Sequence, residues 1–510
     1  MKFQAIKGVR DILPPDSALW NRVEQAAREV FATYGYGEIR LPIFEPAELF
    51  ARSVGMETDI VNKEMYLAVE PSLAAHERDR TDLLKENVEQ VSDAESAFRQ
   101  RVELHIAFTK AGVSGGAIPL EVNKTILKQL ADLEQNGKAF ARTNWIEYVH
   151  CAKDLLSKLS YLPQLALRPE ATASVVRAYI EHGMHTRPGN MKLYYMGPMF
   201  RGERPQKGRY RQFYQIGVEL LGPSDHAGFD AEVIEMLLAF FERVHLQNAT
   251  LYLNSIGCKE CRPKYIAELK SALETVREKL GPDSQRRIET NPLRVLDSKL
   301  PEEQSVIAGL PRIADYLCIP CKSHYAQLKQ ELALRGIQYE ENWRLVRGLD
   351  YYMRTTFEVT APGLGSQDAV CGGGRYDGLV EMLGGPPTKG IGFAIGTDRL
   401  MLSLEQGAET KTAAAVAVYI AWMGAAAYPA AVGLARKLRR QGIAVEMPAV
   451  EMKFGKSLSL ADRLGSRYAV ILGEDELASK QFTVKRLADG EQQKLSEADL
   501  IIYLQGAKSR

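Results

Sequence analysis

The hydrophobic pattern of the first 66 residues predicts a helix, a turn and a strand. Apolar side chains recur at helical spacing over residues 19–31, after a Pro-rich turn at Pro14–Pro15. Tyr34–Gly37 has the composition of a turn, and Glu38–Ile43 alternates polar and apolar positions as a half-buried strand does. The chain therefore opens with one helix packed beside one strand.

The rest of the chain divides by pattern into five segments. Residues 67–162 combine dense charge with apolar residues at helical spacing, and we interpret them as an atypical helical insertion of unknown role. β-like runs return in 163–225 and 342–405, separated by the mostly helical stretch 226–341. Strand and helix patterns alternate over 406–510, which predicts a separate compact α/β domain.

Composition and charge exclude several classes of protein. The 510 residues are 45% hydrophobic, and 65 Lys and Arg stand against 64 Asp and Glu, so a disordered chain or a generally basic coat is excluded. No apolar run approaches the length of a membrane span, and the first residues lack the apolar core of a signal peptide. These features predict a cytoplasmic protein without membrane contact.

The densest chemical signal is a basic hairpin at Phe200–Phe213. Five Arg and Lys side chains lie there between two strand patterns whose apolar content indicates burial. Guanidinium groups bind phosphate through two hydrogen bonds, and neighbouring aromatic rings can stack on a base. The alternative is a solvated charged hairpin, but the buried flanking strands favour an anionic ligand.

Glycine-rich motifs follow in the second β-rich segment. Cys371 precedes the triple glycine Gly372–Gly374, which permits a close approach of the backbone to a ligand, or simply forms turns and bulges. Gly390–Gly396 lacks the Gly-Lys-Ser/Thr of a phosphate-binding P-loop and follows no βαβ start. Glycine spacing alone therefore identifies no nucleotide-binding fold.

Taken together and in order, these motifs resemble the histidyl-tRNA synthetase family of class II aminoacyl-tRNA synthetases. The resemblance rests on residues 7–14, on 41–42 with 58–66 as motif 1, on Leu167–Ala173, on 200–213 as motif 2, on 347–352 with 372–377, on 390–399 as motif 3, and on 473–477 with 484–486. It implies an α/β protein whose α+β catalytic domain is an antiparallel sheet flanked by helices, spanning 1–66, 163–225 and 342–405. It also implies that the helical insertion domain is 226–341 and that the C-terminal α/β domain, 406–510, binds the anticodon.

The resemblance implies a role for each motif residue. Arg201 and Arg347 would be catalytic and hold the α-phosphate of ATP against the histidine carboxylate. The residues implied to bind ATP are Arg201, Glu203, Arg209, Phe213 and Arg399. The residues implied to bind histidine are Glu170, Thr172, Gln215, Glu219, Arg347, Tyr351 and Tyr352. Gln206 and Lys207 would meet the acceptor end of tRNA(His).

The resemblance further implies ATP as substrate, Mg²⁺ with it, and a homodimer. The main alternative is a non-catalytic paralogue, the regulatory subunit of ATP phosphoribosyltransferase, but that protein typically lacks the full histidine signature and the anticodon domain. A prolyl, threonyl or glycyl enzyme of the same class is disfavoured by Arg347–Tyr352 and Gly372–Asp377.

Six cysteines are too few for a disulfide scaffold in a chain of 510 residues, but four of them form two CxxC pairs. The pairs are Cys258 with Cys261 and Cys318 with Cys321. Four thiolates in this pairing suit tetrahedral zinc, and reduced buried thiols are the alternative. Any zinc site requires the two pairs to converge in the fold.

Two features depart from the family pattern. The first is that 98 residues separate Tyr66 from Leu165, where relatives have a short hairpin and where no strand after Tyr66 is recognisable. This segment could contact RNA, contact a partner subunit or be an inert helical excursion. The second is Ala171, which stands where the family motif has glycine and matters only if that position needs a positive φ.

Overall fold

The computed structural model describes residues 3–55, 58, 60–68, 165–364, 368–407 and 417–506. The predicted helical insertion, apart from residues 67–68, lies outside the described residues, as does Cys151. Two compact units make up the chain. One consists of residues 1–11 and 20–407, and the other of residues 12–19 and 408–510.

The first unit contains eleven described strands, nine described α-helices and residues 20–33 of α1, besides short 3₁₀ and π segments. The helices are α1 Asp16–Thr33, α2 Ala47–Val54, α3 Thr172–Glu181, α4 Ala227–Arg243, α5 Arg262–Thr275, α6 Pro282–Thr290, α7 Gln304–Ala308, α8 Ile319–Leu334, α9 Leu379–Met382 and α10 Thr397–Gly407. The strands are β1 Gly37–Glu38, β2 Phe44–Pro46, β3 Leu67–Ala68, β4 Leu165–Leu167, β5 Met191–Phe200, β6 Gln212–Gly222, β7 Thr250–Ser255, β8 Glu340–Glu341, β9 Met353–Thr360, β10 Ala369–Arg375 and β11 Lys389–Gly396.

An eight-stranded, mainly antiparallel sheet is the frame of this unit, in the order β1-β5-β6-β11-β10-β9-β7-β8. Only the two edge pairings, β1 with β5 and β7 with β8, are parallel. The long β5–β6 hairpin pairs from Met191 with Leu221 to Phe200 with Gln212. This topology confirms the predicted antiparallel sheet flanked by helices.

Aromatic side chains of two helices pack against one face of the sheet. Phe31 of α1 is fully buried, with its ring 5.8 Å from that of Phe240 in α4 and 6.2 Å from that of Phe393 in β11. The apolar stripe predicted over residues 19–31 is therefore the face of α1 that covers the sheet. Burial of such rings supplies much of the hydrophobic stabilisation of this layer.

The stretch 226–341 is not helical throughout. β7 lies inside it and pairs antiparallel with β9, from Thr250 opposite Thr360 to Ser255 opposite Thr355. Helix α4 also contributes Phe240 to the core over the sheet. The excursion away from the sheet is therefore shorter than the pattern indicated, because its first helix and strand belong to the sheet layers.

A small three-stranded sheet, in the order β2-β4-β3, lies at the start of the first unit. Here the structure shows a strand that the sequence did not reveal, because Leu67–Ala68 pairs antiparallel with Leu165–Ala166. Ala171 precedes α3 with φ −116°, and its side chain is fully buried. Alanine therefore fits this position without backbone strain.

The C-terminal unit contains a five-stranded sheet in the order β13-β12-β14-β15-β16. Its strands are β12 Val418–Trp422, β13 Val445–Glu446, β14 Tyr468–Leu472, β15 Gln481–Arg486 and β16 Gln492–Ser496, and its helices are α11 Ala427–Arg440, α12 Phe454–Arg463, α13 Glu474–Ser479 and α14 Glu497–Gly506. β13, β12 and β14 are parallel, whereas β15 and β16 form an antiparallel hairpin. The predicted strand–helix alternation is confirmed. In neither unit do the described residues include a helix long and apolar enough to cross a membrane.

Candidate functional site

A cavity of about 810 Å³ opens over the middle of the large sheet. It is lined by all twelve residues to which the motifs assign ATP or histidine. These are Glu170, Thr172, Arg201, Glu203, Arg209, Phe213, Gln215, Glu219, Arg347, Tyr351, Tyr352 and Arg399. Gln206 and Lys207 do not line it, and both are exposed at the turn of the β5–β6 hairpin.

Two carboxyl groups, those of Glu170 and Glu219, line the cavity, and each accepts hydrogen bonds from neighbouring groups of the protein. Glu170 accepts hydrogen bonds from the backbone N–H groups of Thr172, at 2.7 Å, and Ala173, at 3.0 Å, where α3 begins. Glu219, on β6, accepts from the Thr172 hydroxyl at 2.7 Å and from the Tyr376 hydroxyl at 2.6 Å. Both carboxyl groups are therefore held in one orientation, with Thr172 between them.

Burial makes these carboxyl groups weak acids. Desolvation raises the pKa of Glu219 to about 8, against the lowering effect of the Thr172 and Tyr376 hydrogen bonds. Desolvation also raises the pKa of Glu170, although backbone N–H groups partly offset it. A polar ligand that replaced lost solvent would restore the charged form of either group.

This raised pKa predicts that replacing Glu219 with Gln changes the pH dependence of stability. Below pH 4.5 the carboxyl group is protonated in both states. Between about 4.5 and about 8 the unfolded chain loses that proton while the folded chain keeps it, so the wild-type stability falls through this window. E219Q cannot titrate there. We therefore expect the free energy of unfolding of E219Q, relative to that of wild type, to increase by more than about 1 kcal/mol from pH 5 to pH 8. Calorimetric unfolding at several pH values measures this difference.

The matched control for this prediction is E381Q, on the exposed surface of α9. Its stability difference from wild type should not change over the same pH range. A constant difference between E219Q and wild type across the window would show that Glu219 titrates normally.

Three arginines also line the cavity, and they come from different elements. Arg201 follows β5, donates to the Pro169 carbonyl at 2.9 Å and lies 5.2 Å from the Phe213 ring. Arg347 lies 3.0 Å from the Glu358 carboxylate and 5.7 Å from the Tyr352 ring. Arg399, in the first turn of α10, donates to the Ala369 carbonyl at 2.9 Å. Cations fixed in this way suit a polyanionic ligand.

Two buried polar atoms at the cavity have no hydrogen-bond partner among the residues that the structure describes. They are the Gln215 Oε1 acceptor and the Arg347 Nε donor. A buried polar group without a partner is costly, so each is a place where a ligand group fits. An acceptor at Gln215 suits an ammonium group, and a donor at Arg347 suits a carboxylate or phosphate.

The triple glycine serves the protein's own side chains. A Cβ at Gly372 would overlap the Arg347 guanidinium, and one at Gly373 would overlap the Phe357 ring. Glycine at these positions of β10 therefore leaves room for the Arg347 and Phe357 side chains, and Gly372 also lines the cavity.

Several residues without a predicted role lie in the cavity or in the buried network beside it. Tyr376 holds Glu219, and Glu358 pairs with Arg347. Arg375 is fully buried and bonded to Asp230 and, at 3.0 Å, to Asp377. Arg375–Asp377 belongs to the glycine motif already quoted, so its signal was present, whereas nothing in the sequence marks Asp230.

The four CxxC cysteines converge away from the cavity. Their Sγ atoms all lie within 4.8 Å of one another, with 3.7 Å from Cys258 to both Cys261 and Cys318, and 3.9 Å from Cys261 to Cys321. Sulfurs bound tetrahedrally to zinc at about 2.3 Å are about 3.8 Å apart. The convergence that a zinc site requires is therefore present, and these residues fit the metal.

Each of the two units matches a known protein family. Residues 161–400 match the family described as histidyl-tRNA synthetase, and residues 417–506 match the anticodon binding domain. The chain is 44% identical to a histidine–tRNA ligase of Koribacter versatilis, with 100% of this chain and 97% of the relative covered. It is 42% identical to that of Solibacter usitatus, with 99% and 100% covered.

A solved structure extends the comparison to the fold. The apo histidyl-tRNA synthetase of S. aureus superposes with a TM-score of 0.67 at 31% identity, covering 99% of this chain and 100% of that one. The full-length relatives belong to the same family that the order of the motifs indicated. The cavity brings the residues of those motifs together. The chain belongs to the histidyl-tRNA synthetase family.

Proposed function

We propose that this chain is a histidine–tRNA ligase, which activates histidine with ATP and transfers it to the 3′ end of tRNA(His). One observation carries the proposal. A single cavity combines a set of fixed cations, Arg201, Arg347 and Arg399, with a buried hydrogen-bonding pocket built around Glu170 and Glu219. Such a cavity can hold ATP and a small polar amino acid side by side.

In the first step the histidine carboxylate attacks the α-phosphorus of ATP and pyrophosphate leaves. Two anions must approach each other, so the barrier falls when fixed cations offset their charge. Arg347 and Arg201 are the proposed cations at this point. The free Nε donor of Arg347 is available to the reacting oxygens, while its Nη1 remains bonded to Glu358.

The adenine and outer phosphates are assigned to other residues that line the cavity. The Phe213 ring provides a stacking surface, and Glu203 provides an acceptor for the adenine amine. Arg209 and Arg399 are the proposed contacts to the outer phosphates and the base. In the free protein Glu203 pairs with Arg209 at 2.5 Å, so ATP binding would release this arginine. Mg²⁺ enters as the complex with substrate ATP.

Histidine is assigned to the pocket around the carboxyl pair. The Gln215 acceptor and Glu170 receive the α-ammonium group, beside Thr172 and Tyr351. Glu219 and Tyr352 contact the imidazole ring. Because Glu219 is fixed by Thr172 and Tyr376, only a side chain that donates a hydrogen bond there satisfies it.

In the second step a ribose hydroxyl at the tRNA 3′ end attacks the histidyl carbonyl, and AMP leaves. Exposed Gln206 and Lys207 are proposed to meet the acceptor end from the β5–β6 hairpin. The C-terminal unit, which matches the anticodon binding domain, is proposed to read unstacked anticodon bases.

We assign three further properties to the working enzyme. It is a cytoplasmic protein and a homodimer. Exposed Phe44 and Leu67 on the small sheet supply apolar surface for a second copy. Sedimentation equilibrium tests the dimer. A structural Zn²⁺ is bound by the four cysteines.

The defining experiment is ATP–pyrophosphate exchange with each amino acid in turn, followed by charging of tRNA(His). Exchange with histidine alone supports the proposal. Absence of exchange would favour the regulatory paralogue of ATP phosphoribosyltransferase, which the full set of cavity residues and the C-terminal unit disfavour.

The close approach of Arg347 to β10 predicts the effect of G372A. The added methyl group displaces the guanidinium, so we expect kcat for exchange to fall about tenfold with little change in thermal stability. The matched control is G37A, because a Cβ at Gly37 meets no atom within 4 Å. Equal rates for the two variants would show that the position of Arg347 does not limit the reaction.

A further inference from the structure

The cysteine cluster is tied to the histidine pocket by one side chain. Arg262 follows Cys261 and begins α5, and it donates to the carbonyl oxygen of Tyr352. The same guanidinium donates to the Ile256 carbonyl at 3.2 Å. A displacement of the Cys258–Cys261 turn would therefore move the donor that holds the backbone of Tyr352.

The backbone of the same turn is paired with the chain beyond Tyr352. The Ile256 N–H donates to the Arg354 carbonyl, and the Arg354 N–H donates to the Gly257 carbonyl, both at 2.8 Å. Arg354 adopts φ 50°, which is unfavourable for a side chain larger than glycine. The turn that carries two of the cysteines thus also holds this segment in its unusual conformation.

The tyrosine pair is packed among buried apolar side chains, but part of its surface borders an open space. A second cavity of about 250 Å³ lies between the cysteine turn and the tyrosines, and its lining includes Lys259, Arg262, Asp350, Tyr351 and Tyr352. Arg262 lines this space and links the cysteine turn to the Tyr352 carbonyl by a hydrogen bond.

Charge around the cluster suits four thiolates and a divalent metal. Cys261 and Cys318 occupy the N-cap positions of α5 and α8, so two of the cysteines lie at the positive ends of helices. Arg262 is adjacent to them. A Zn²⁺ with four thiolates keeps a net negative charge, which these positive ends and the arginine offset. No disulfide joins the two pairs among the described cysteines, so a metal would be their cross-link.

We propose that Zn²⁺ at Cys258, Cys261, Cys318 and Cys321 positions the histidine pocket through the Arg262–Tyr352 hydrogen bond, so that metal loading sets the affinity for histidine. This inference rests on the proposed function, because it assigns Tyr352 to the histidine side of the cavity. Arg262 is a positioning residue, since it reaches the substrate only through Tyr352.

The test uses the full chain, purified without added metal. Elemental analysis of wild type should find about one zinc per chain. The C318S/C321S variant, altered at the pair that is distant in sequence from Arg262, should be zinc-free. Its KM for histidine should rise about 5- to 30-fold, with kcat and the KM for ATP within about twofold of wild type. Calorimetric titration with histidine should show the same loss of affinity.

Variants of Arg262 distinguish the effect of losing the hydrogen bond to Tyr352 from the effect of losing zinc. R262A should keep its zinc and its thermal stability, yet show the same rise in histidine KM, and R262K should recover part of the affinity by donating one hydrogen bond. The control is K322A, next to Cys321 but exposed on α8, which should match wild type in every measurement.

Three results would overturn the proposal. They are a wild-type chain whose KM for histidine does not change when its zinc is removed, a zinc-free variant with lowered stability but unchanged histidine affinity, and an R262A variant with unchanged histidine affinity. Failure of the proposed function is distinguishable, because zinc content and calorimetric histidine binding do not depend on catalysis.

Discussion

Replacing Arg201 or Arg347 with alanine is expected to lower kcat for histidine-dependent ATP–pyrophosphate exchange by about 10²- to 10³-fold. Both guanidinium groups are held in place before any ligand arrives, Arg201 by the Pro169 carbonyl and Arg347 by Glu358. Charge redistributes on the α-phosphate in the transition state, so the loss should fall mainly on kcat, with smaller changes in KM. Steady-state exchange kinetics at varied ATP and histidine measure this.

The matched control for both arginines is R204A. Arg204 lies in the same basic hairpin but is exposed and does not line the cavity. Its exchange rate should stay within about twofold of wild type, since a solvated charge contributes little to a buried transition state. Losses of similar size in R204A and R201A would indicate a general effect of positive charge and contradict the assigned roles.

The second large effect is expected at Glu219. E219Q keeps the shape and can still accept one hydrogen bond, but it cannot become negatively charged when the imidazole ring binds. Hydrogen bonds to charged groups are worth about 1.5–3 kcal/mol, so kcat/KM for histidine should fall about 10- to 150-fold. The KM for ATP should hardly change, because Glu219 is assigned to the imidazole ring and not to ATP. Exchange kinetics with histidine varied at saturating ATP provide the measurement.

Substrate analogues make this prediction specific. Wild type should discriminate strongly between histidine and a histidine methylated on one ring nitrogen, and E219Q should discriminate much less. E381Q, altered at an exposed carboxylate, should keep the wild-type ratio. An unchanged ratio in E219Q would show that Glu219 does not contact the ring.

The local pattern was sufficient to predict the elements that frame the site. The helix over residues 19–31, the β5–β6 hairpin and the alternating C-terminal unit all follow from apolar periodicity and turn residues, which act over a few positions. The pattern did not reveal β3, because two residues are too few to show alternation. It also did not reveal that β7 pairs with β9, because strand pairing depends on contacts about a hundred residues apart.

By itself the sequence determined the family and the order of the motifs, because both depend on residues that are read directly along the chain. The resemblance also singled out twelve residues that prove to line one cavity. Only the tertiary structure revealed how they are supported. Asp230 lies 145 residues from its partner Arg375, and Tyr376 lies 157 residues from Glu219. Arg262 reaches Tyr352 across 90 residues. Such pairings depend on the register and packing of the whole sheet, and no local pattern encodes them.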